Sequence, residues 1–308
     1  MVLRKTFCIL REIVKIQSLL SFVVMQSGNG KIAFLISFFL FFSVTFSFSQ
    51  AKVVYKTIDT LALTLEIYCP TKSSESGKYP AMIFFFGGGW TGGVTTQFEP
   101  QAKYFSERGI VCFLAEYRVS SRNQTSPFES LMDAKSAIRF IRSHADEFQI
   151  DPDQIIASGG SAGGHLAAAT ALIDGYNDPT DDLGISCKPA ALVLFNPVID
   201  NGPGGYGFER IGEAYLDFSP LHNIRKGAPP TVIFLGTEDN LIPVETMEYY
   251  QKVMEKVGSR CELFLYEGQP HGFFNYRNFD YYEETLLQAD LFLQSLGYLK
   301  QGPKIEIK

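Results

Sequence analysis

The sequence predicts an α/β domain, a mostly parallel central sheet with helices packed on both faces. Near-continuous apolar runs of strand length recur along the chain, and segments with apolar residues at helical spacing lie between them. Composition agrees, since 308 residues at 46% hydrophobic and 14% aromatic suit a folded chain with a large core.

The first stretch stands apart from that domain. "KIAFLISFFLFFSVTFSFSQ", Lys31 to Gln50, is an uncharged apolar run behind one lysine and ahead of a Ser/Phe/Gln end. Such an order is expected of a secretory signal peptide, so residues 1–50 are assigned to a leader whose start before Met25 is set too early or whose basic end is lengthened. An uncleaved membrane anchor is the alternative, because the run is nearly long enough to span a bilayer. Once the leader is removed no stable membrane span is expected, and the product is secreted or periplasmic. Residues 51–308 are then one domain.

Within it, "KVVYKTI" and "LTLEIYCP" alternate apolar and polar residues as an antiparallel edge pair. "AMIFFFGGG", "IVCFLAEYR", "IIASGGS", "AALVLFNPV", "TVIFLGTED" and "CELFLYEG" are continuous runs, the pattern of strands buried on both faces. Helices are expected over "FEPQAKYFSERG", "PFESLMDAKSAIRFIRSHADEF", "GGHLAAATALI", "VETMEYYQKVMEKVG" and "YYEETLLQADLFLQSLGYL". Lys and Arg total 27 against 33 Asp and Glu, so the basic footprint of a nucleic-acid binder is missing. Cys69, Cys112, Cys187 and Cys261 are widely spaced, with no CxxC pair and no His-rich partner. That argues against a zinc site and for buried free thiols.

Chemistry concentrates where "IIASGGS" meets "AGGHLAAAT". Ser161 lies in a G-x-S-x-G pattern between an apolar strand and a helix, made by Gly159, Gly160, Ala162 and Gly163. In so tight a turn the serine takes a strained backbone conformation, and side chains two residues to either side would clash. The helix that follows aims its N-terminal amides at charge developing beside the serine. A serine hydroxyl needs a histidine base, and the base needs a carboxylate. Four histidines are available. His144 falls in a charged helix and reads as a surface residue, His165 follows the elbow on a helix that cannot turn it back to Ser161, and His222 reads as a loop or pocket residue. His271, in "EGQPHGFFNY", follows the last strand at its C-terminal end, where open α/β sheets place their sites. For the acid, Asp239 follows the strand "TVIFLG", with Glu238 beside it and Asp200 after "FNPVI" as alternatives. Gly87, Gly88 and Gly89, at the end of "AMIFFF", can supply backbone donors for an oxyanion.

On these segments the chain resembles α/β-hydrolase esterases of the hormone-sensitive-lipase-like and BD-FAE-like group, across nearly all of residues 65–296. The resemblance is carried by "FFGGGW", "AEYRVS", "DAKSAIRFIRSHADEFQIDPDQI", "GGSAGGHLAA", "APPTVIFLGTEDNLIPV" and "PHGFFN". It implies an α/β-hydrolase fold without a large lid, nucleophile Ser161, acid Asp239, base His271, and oxyanion donors from the backbone of Gly88, Gly89 and Ala162. Neither a metal nor an organic cofactor is implied. Phe86 departs from the pattern, standing where many relatives carry a histidine that shapes the glycine loop.

The resemblance also places "NGPGGYGFERIGEAYLDFSPLH" over the site. Its shortness leaves little material for an acyl tunnel, so short-acyl esters are expected, acetyl or feruloyl, carried on a polysaccharide or oligosaccharide. Trp90, Tyr206 and Phe273 are the expected pocket aromatics, with Tyr215, Phe274 and Tyr276 on the same loops. A peptidase or amidase using the same triad, and a non-catalytic binding protein of the same fold, are the alternatives.

Overall fold

The structure is a computed structural model that describes residues 51–71 and 77–300, so the leader expected over residues 1–50 lies outside the described residues. Strands β1 (Ala51–Ile58), β2 (Leu61–Tyr68), β3 (Tyr79–Phe85), β4 (Val111–Ala115), β5 (Ile150–Gly160), β6 (Ala191–Phe195), β7 (Thr231–Gly236) and β8 (Cys261–Tyr266) form one sheet in the order β1-β2-β4-β3-β5-β6-β7-β8. β1 pairs antiparallel with β2, and β2 antiparallel with β4. From β4 to β8 every neighbour is parallel.

The continuous apolar runs follow from two cores, one on each face. Along β3, Ala81, Ile83 and Phe85 enter one core while Met82 and Phe84 enter the other, so no position can be polar. The longer helices are α1 (Glu99–Glu107), α2 (Pro127–Ser143), α3 (Ala162–Leu172), α4 (Val244–Lys256) and α5 (Phe279–Ser295). Leu131 and Ile138 of α2, Leu166 of α3 and Met247 of α4 pack in the first core, and Phe105 of α1 with Leu286 and Phe292 of α5 in the second. Between β1 and α2, buried Lys56 Nζ lies 2.7 Å from Asp133 Oδ1, and Arg118 Nε 2.7 Å from Asp133 Oδ2.

Local chemistry sets the helix ends. α2 starts with a capping box, Ser126 accepting from the Phe128 amide and Glu129 reaching back to the Ser126 amide at 2.8 Å, with Pro127 in the first position. Three expectations are corrected. The helix expected to run through His144 breaks there, into α2 and a short turn over Ala145–Phe148. His144 is half-buried, its ring stacked 4.1 Å from that of Phe140, and is no free surface residue. β8 is not buried on both faces. It ends the sheet with β7 as its neighbour, and Leu265 is 42% exposed. An apolar run alone does not distinguish an edge strand from a central one.

α3 is buried at every residue, which accounts for its run of alanine and glycine. Cations meet the carbonyls at and just past its C-terminus: Lys135 Nζ donates to Ile173 O at 2.7 Å and to Gly175 O, and Arg225 Nη1 donates to Leu172 O at 2.8 Å. Burial draws the Lys135 ammonium down to about 8.

His165 is also wholly buried, with Nε2 3.0 Å from Phe218 O and its ring 5.1 Å from that of Trp90. Because Phe218 O only accepts, Nε2 carries the proton. Burial pushes the imidazole down to about 3, against the smaller upward pull of that hydrogen bond. In the unfolded chain the ring titrates near its usual value of about 6.5, so between there and pH 3 the unfolded state binds a proton that the fold refuses. Stability from this group is therefore complete above pH 6.5 and falls as pH drops, by at most about 1.4 kcal/mol per unit. His165→Gln keeps a donor for Phe218 O and should flatten the fall between pH 6 and pH 4 by about one proton. Urea denaturation across that range measures it, and identical slopes for variant and wild type would refute the assignment.

Candidate active site

β5 delivers Ser161 to the C-terminal edge of the sheet, and the chain turns there into α3 with Ser161 at φ 55°, ψ −121°. A Cβ on Gly159 would collide with the backbone of Gly163, and one on Gly163 with the carbonyl oxygens of Phe85 and Phe86. Both positions must be glycine for the turn to close. The turn is tied down further by Ser161 N–H donating to Phe195 O at 3.0 Å and Val198 N–H donating to Ser161 O at 3.1 Å.

Two loops after later strands complete the arrangement. His271 Nε2 lies 2.9 Å from Ser161 Oγ, and His271 Nδ1 lies 2.7 Å from Asp239 Oδ2. The carboxylate requires a donor at Nδ1, which leaves Nε2 to accept from the serine hydroxyl. Asp239 Oδ1 accepts from the Leu241 and Ile242 amides at 2.9 and 3.0 Å, so both oxygens are partnered although the side chain is buried. Glu238 is exposed, and Asp200 instead faces His222, 3.8 Å from its Nδ1. Of the candidate acids, Asp239 alone meets His271.

The glycine loop lies against this turn, a Cβ on Gly87 falling 3.3 Å from that of Ser161. Gly88 has φ 129° and Gly89 φ 63°. The amides of Gly88, Gly89 and Ala162 donate to no acceptor among the described residues. Phe86, directly before the glycine loop, stacks on the Tyr117 ring at 4.1 Å, and Tyr117 hydroxyl donates to Phe86 O at 2.6 Å.

The expected pocket aromatics divide. Trp90 is 1% exposed, packed among His165, Tyr206 and Phe218, and Phe273 is 2% exposed, packed on Tyr266 and Phe274. Neither ring offers a face to a ligand, and nor does buried Phe274. All three sit on loops whose position was legible, but loops beside a site also pack its floor. Tyr206 and Tyr215 are half-buried, and Tyr276 is 45% exposed. Tyr206 hydroxyl would sit 2.6 Å from a Cβ on Gly89, and Arg210 donates to Gly89 O from the short helix Phe208–Ile211.

Sequence reasoning missed three amides. Buried Asn196, at φ 34° directly after β6, accepts from Gly272 N–H at 3.0 Å and sets Nδ2 3.4 Å from His271 Nε2. Gln97 and Asn275 bond the glycine loop and the His271 loop. In the sequence, the only trace of these is an asparagine placed before proline at a strand end, in "FNP".

Comparison with known proteins bears on the family and the fold. Residues 65–201 match the BD-FAE family and residues 206–299 the dienelactone hydrolase family. Probable carboxylic ester hydrolase LipM of Mycobacterium tuberculosis is 30% identical over 64% of this chain and 49% of its own length. The acetylxylan esterase of Xylanibacter ruminicola is 27% identical over 77% of this chain and 49% of its own. The chain thus spans about half the length of these curated relatives. Among solved structures, the apo form of Thermogutta terrifontis esterase 2 is 45% identical with a TM-score of 0.78, covering 83% of this chain and 97% of that one. That esterase has also been solved phosphorylated by paraoxon, and with propionate and butyrate bound. With a parallel sheet, a strained serine elbow and a 45% identical esterase matched over nearly its whole length, the chain belongs to the α/β-hydrolase family of carboxylic ester hydrolases.

Proposed function

We propose that this chain is an exported serine esterase that cleaves short-acyl esters of a polysaccharide through an acyl-enzyme. The observation that carries the reading is the relay from Ser161 Oγ through His271 to Asp239, at 2.9 and 2.7 Å, beside free amides. Ser161 attacks the ester carbonyl while His271 Nε2 takes its proton, and Asp239 holds the imidazole in the required tautomer and stabilises the imidazolium. The Gly88, Gly89 and Ala162 amides receive the tetrahedral oxyanion, a contribution on the order of 10² to 10³ per donor in related sites. His271 then protonates the leaving alcohol, and water repeats the sequence to free the acid.

Ser161→Ala or His271→Ala should lower ester hydrolysis by about 10⁴-fold or more with the fold retained, because such groups act as a unit. Asp239→Asn should be nearly as severe through the wrong tautomer, and Glu238→Gln mild. Steady-state kinetics on an aryl acetate decides. Residual activity above a tenth of wild type in either alanine variant would sink the nucleophile and base, and a worse Glu238 variant would move the acid. Paraoxon, which phosphorylates the Thermogutta esterase, should modify the wild type and spare the Ser161 variant.

Support for a small acyl group comes from the short cover between Phe195 and Leu221 and from the propionate and butyrate bound by the Thermogutta esterase. The acetylxylan esterase relative and the accessible Tyr206 beside Gly89 support a sugar alcohol. Values of kcat/KM for C2 to C10 aryl esters should peak at C4 or shorter, with measurable release of acetate from acetylated xylan oligomers. A maximum at C8 or longer without sugar-ester activity would overturn this substrate class.

Export rests on the apolar run ending in "SFSFSQA". No helix among the described residues is long and apolar enough to cross a membrane. The mature chain should begin near Gln50 or Ala51 by mass spectrometry, and a mass retaining Ile32 to Phe48 would favour an anchor instead.

A further inference from the structure

The glycine loop and the His271 loop follow strands β3 and β8, at separate places in the sheet, yet side-chain amides join them. Gly87 N–H donates to Gln97 Oε1 at 2.6 Å, and Gln97 Nε2 donates to Asn275 Oδ1 at 3.0 Å. Asn275 Nδ2 then donates to Gly272 O at 2.7 Å, one residue past His271. Gly272 N–H in turn is held by buried Asn196.

The polarity of this chain of bonds is dictated by its ends. A backbone N–H at Gly87 can only donate and a carbonyl at Gly272 can only accept, so what joins them must accept at one end and donate at the other. A primary amide does this once, and two in series do it across the longer gap. A carboxylate at either position breaks the sequence, because it has no donor to pass on. The peptide between Phe86 and Gly87 is gripped on its other side too, by Tyr117 hydroxyl on Phe86 O. Its plane is therefore fixed at both ends just ahead of the amides of Gly88 and Gly89.

We infer that Gln97 and Asn275 are positioning residues, a two-amide link that holds the oxyanion loop and the base loop in register. The inference rests on the assignment of Ser161, His271 and the glycine amides made above. The link acts on the geometry of the transition state more than on substrate affinity. Misplacement of catalytic groups by about 1 Å costs on the order of 10²-fold, which bounds the effect.

The test is the kinetics of Gln97→Leu, Asn275→Leu and the double variant, with Ser161→Ala alongside and thermal unfolding of each. Gln97→Leu should lose about 10- to 100-fold in kcat with KM changed by less than about threefold, at a Tm near that of wild type. The double variant should be no worse than the worse single one, since either break undoes the same link. Gln97→Glu keeps the acceptor for Gly87 and the side-chain shape but reverses the far end, and it too should lose at least about fivefold in kcat. It serves as the decisive variant if Gln97→Leu does not fold. Full kcat in a folded Gln97→Leu or Gln97→Glu protein, a loss confined to KM, or losses that multiply in the double variant would overturn the link. Activity surviving in Ser161→Ala would instead overturn the reading on which it rests.

Discussion

Between Gly159 and Gly163 the chain reverses from strand to helix with no room for a side chain at either position, because the two residues face each other and Gly163 lies on the carbonyls of Phe85 and Phe86. This apposition fixes three things together. It forces Ser161 into its positive-φ conformation, sets α3 directly beneath the end of β3, and brings the start of the glycine loop against the serine. The strain at one residue, of order 1–3 kcal/mol, is held by the sheet hydrogen bonds on one side and a wholly buried helix on the other. The elbow is thus a consequence of core packing as much as a catalytic device.

Much of this was legible in the sequence because it is written in residue types with narrow physical uses. Continuous apolar runs gave the parallel strands, the glycines around Ser161 gave the turn, and the chain order of Ser161, Asp239 and His271 gave the relay that the geometry displays. Nothing in the residue types shows which of the adjacent acids Glu238 and Asp239 points inward at the strand end, and the burial of Asp239 with two amides on Oδ1 is a property of the folded loop. Trp90 and Phe273 show the opposite limit. Aromatic residues on a site-bordering loop can face the ligand or the core, and nothing in composition separates the two.

Gln97, Asn196 and Asn275 were illegible for a different reason. Single amides carry no motif, and their importance depends on which backbone groups come within reach after the loops are built. Read along the chain, Phe86 brings no polar side chain to the head of the glycine loop. In three dimensions the ring is a packing partner of Tyr117, whose hydroxyl secures the Phe86 carbonyl, and the polar task falls to side chains elsewhere.

The cations at the C-terminus of α3 bear on the electric field at its other end. A helix of this length, about 16 Å, presents a positive pole to Ser161 and a negative pole of equal size at Leu172, and the far pole partly cancels the near one. Arg225 donates to Leu172 O and also pairs with the Asp174 carboxylate, and Lys135 donates to the carbonyl of Ile173, which caps the helix. Cations at the negative pole lessen its opposition to the positive pole at Ser161, and the Asp174 carboxylate beside them takes back part of that gain. The reach of the helix field into the site is thereby set partly by two side chains that lie a full helix length away from it.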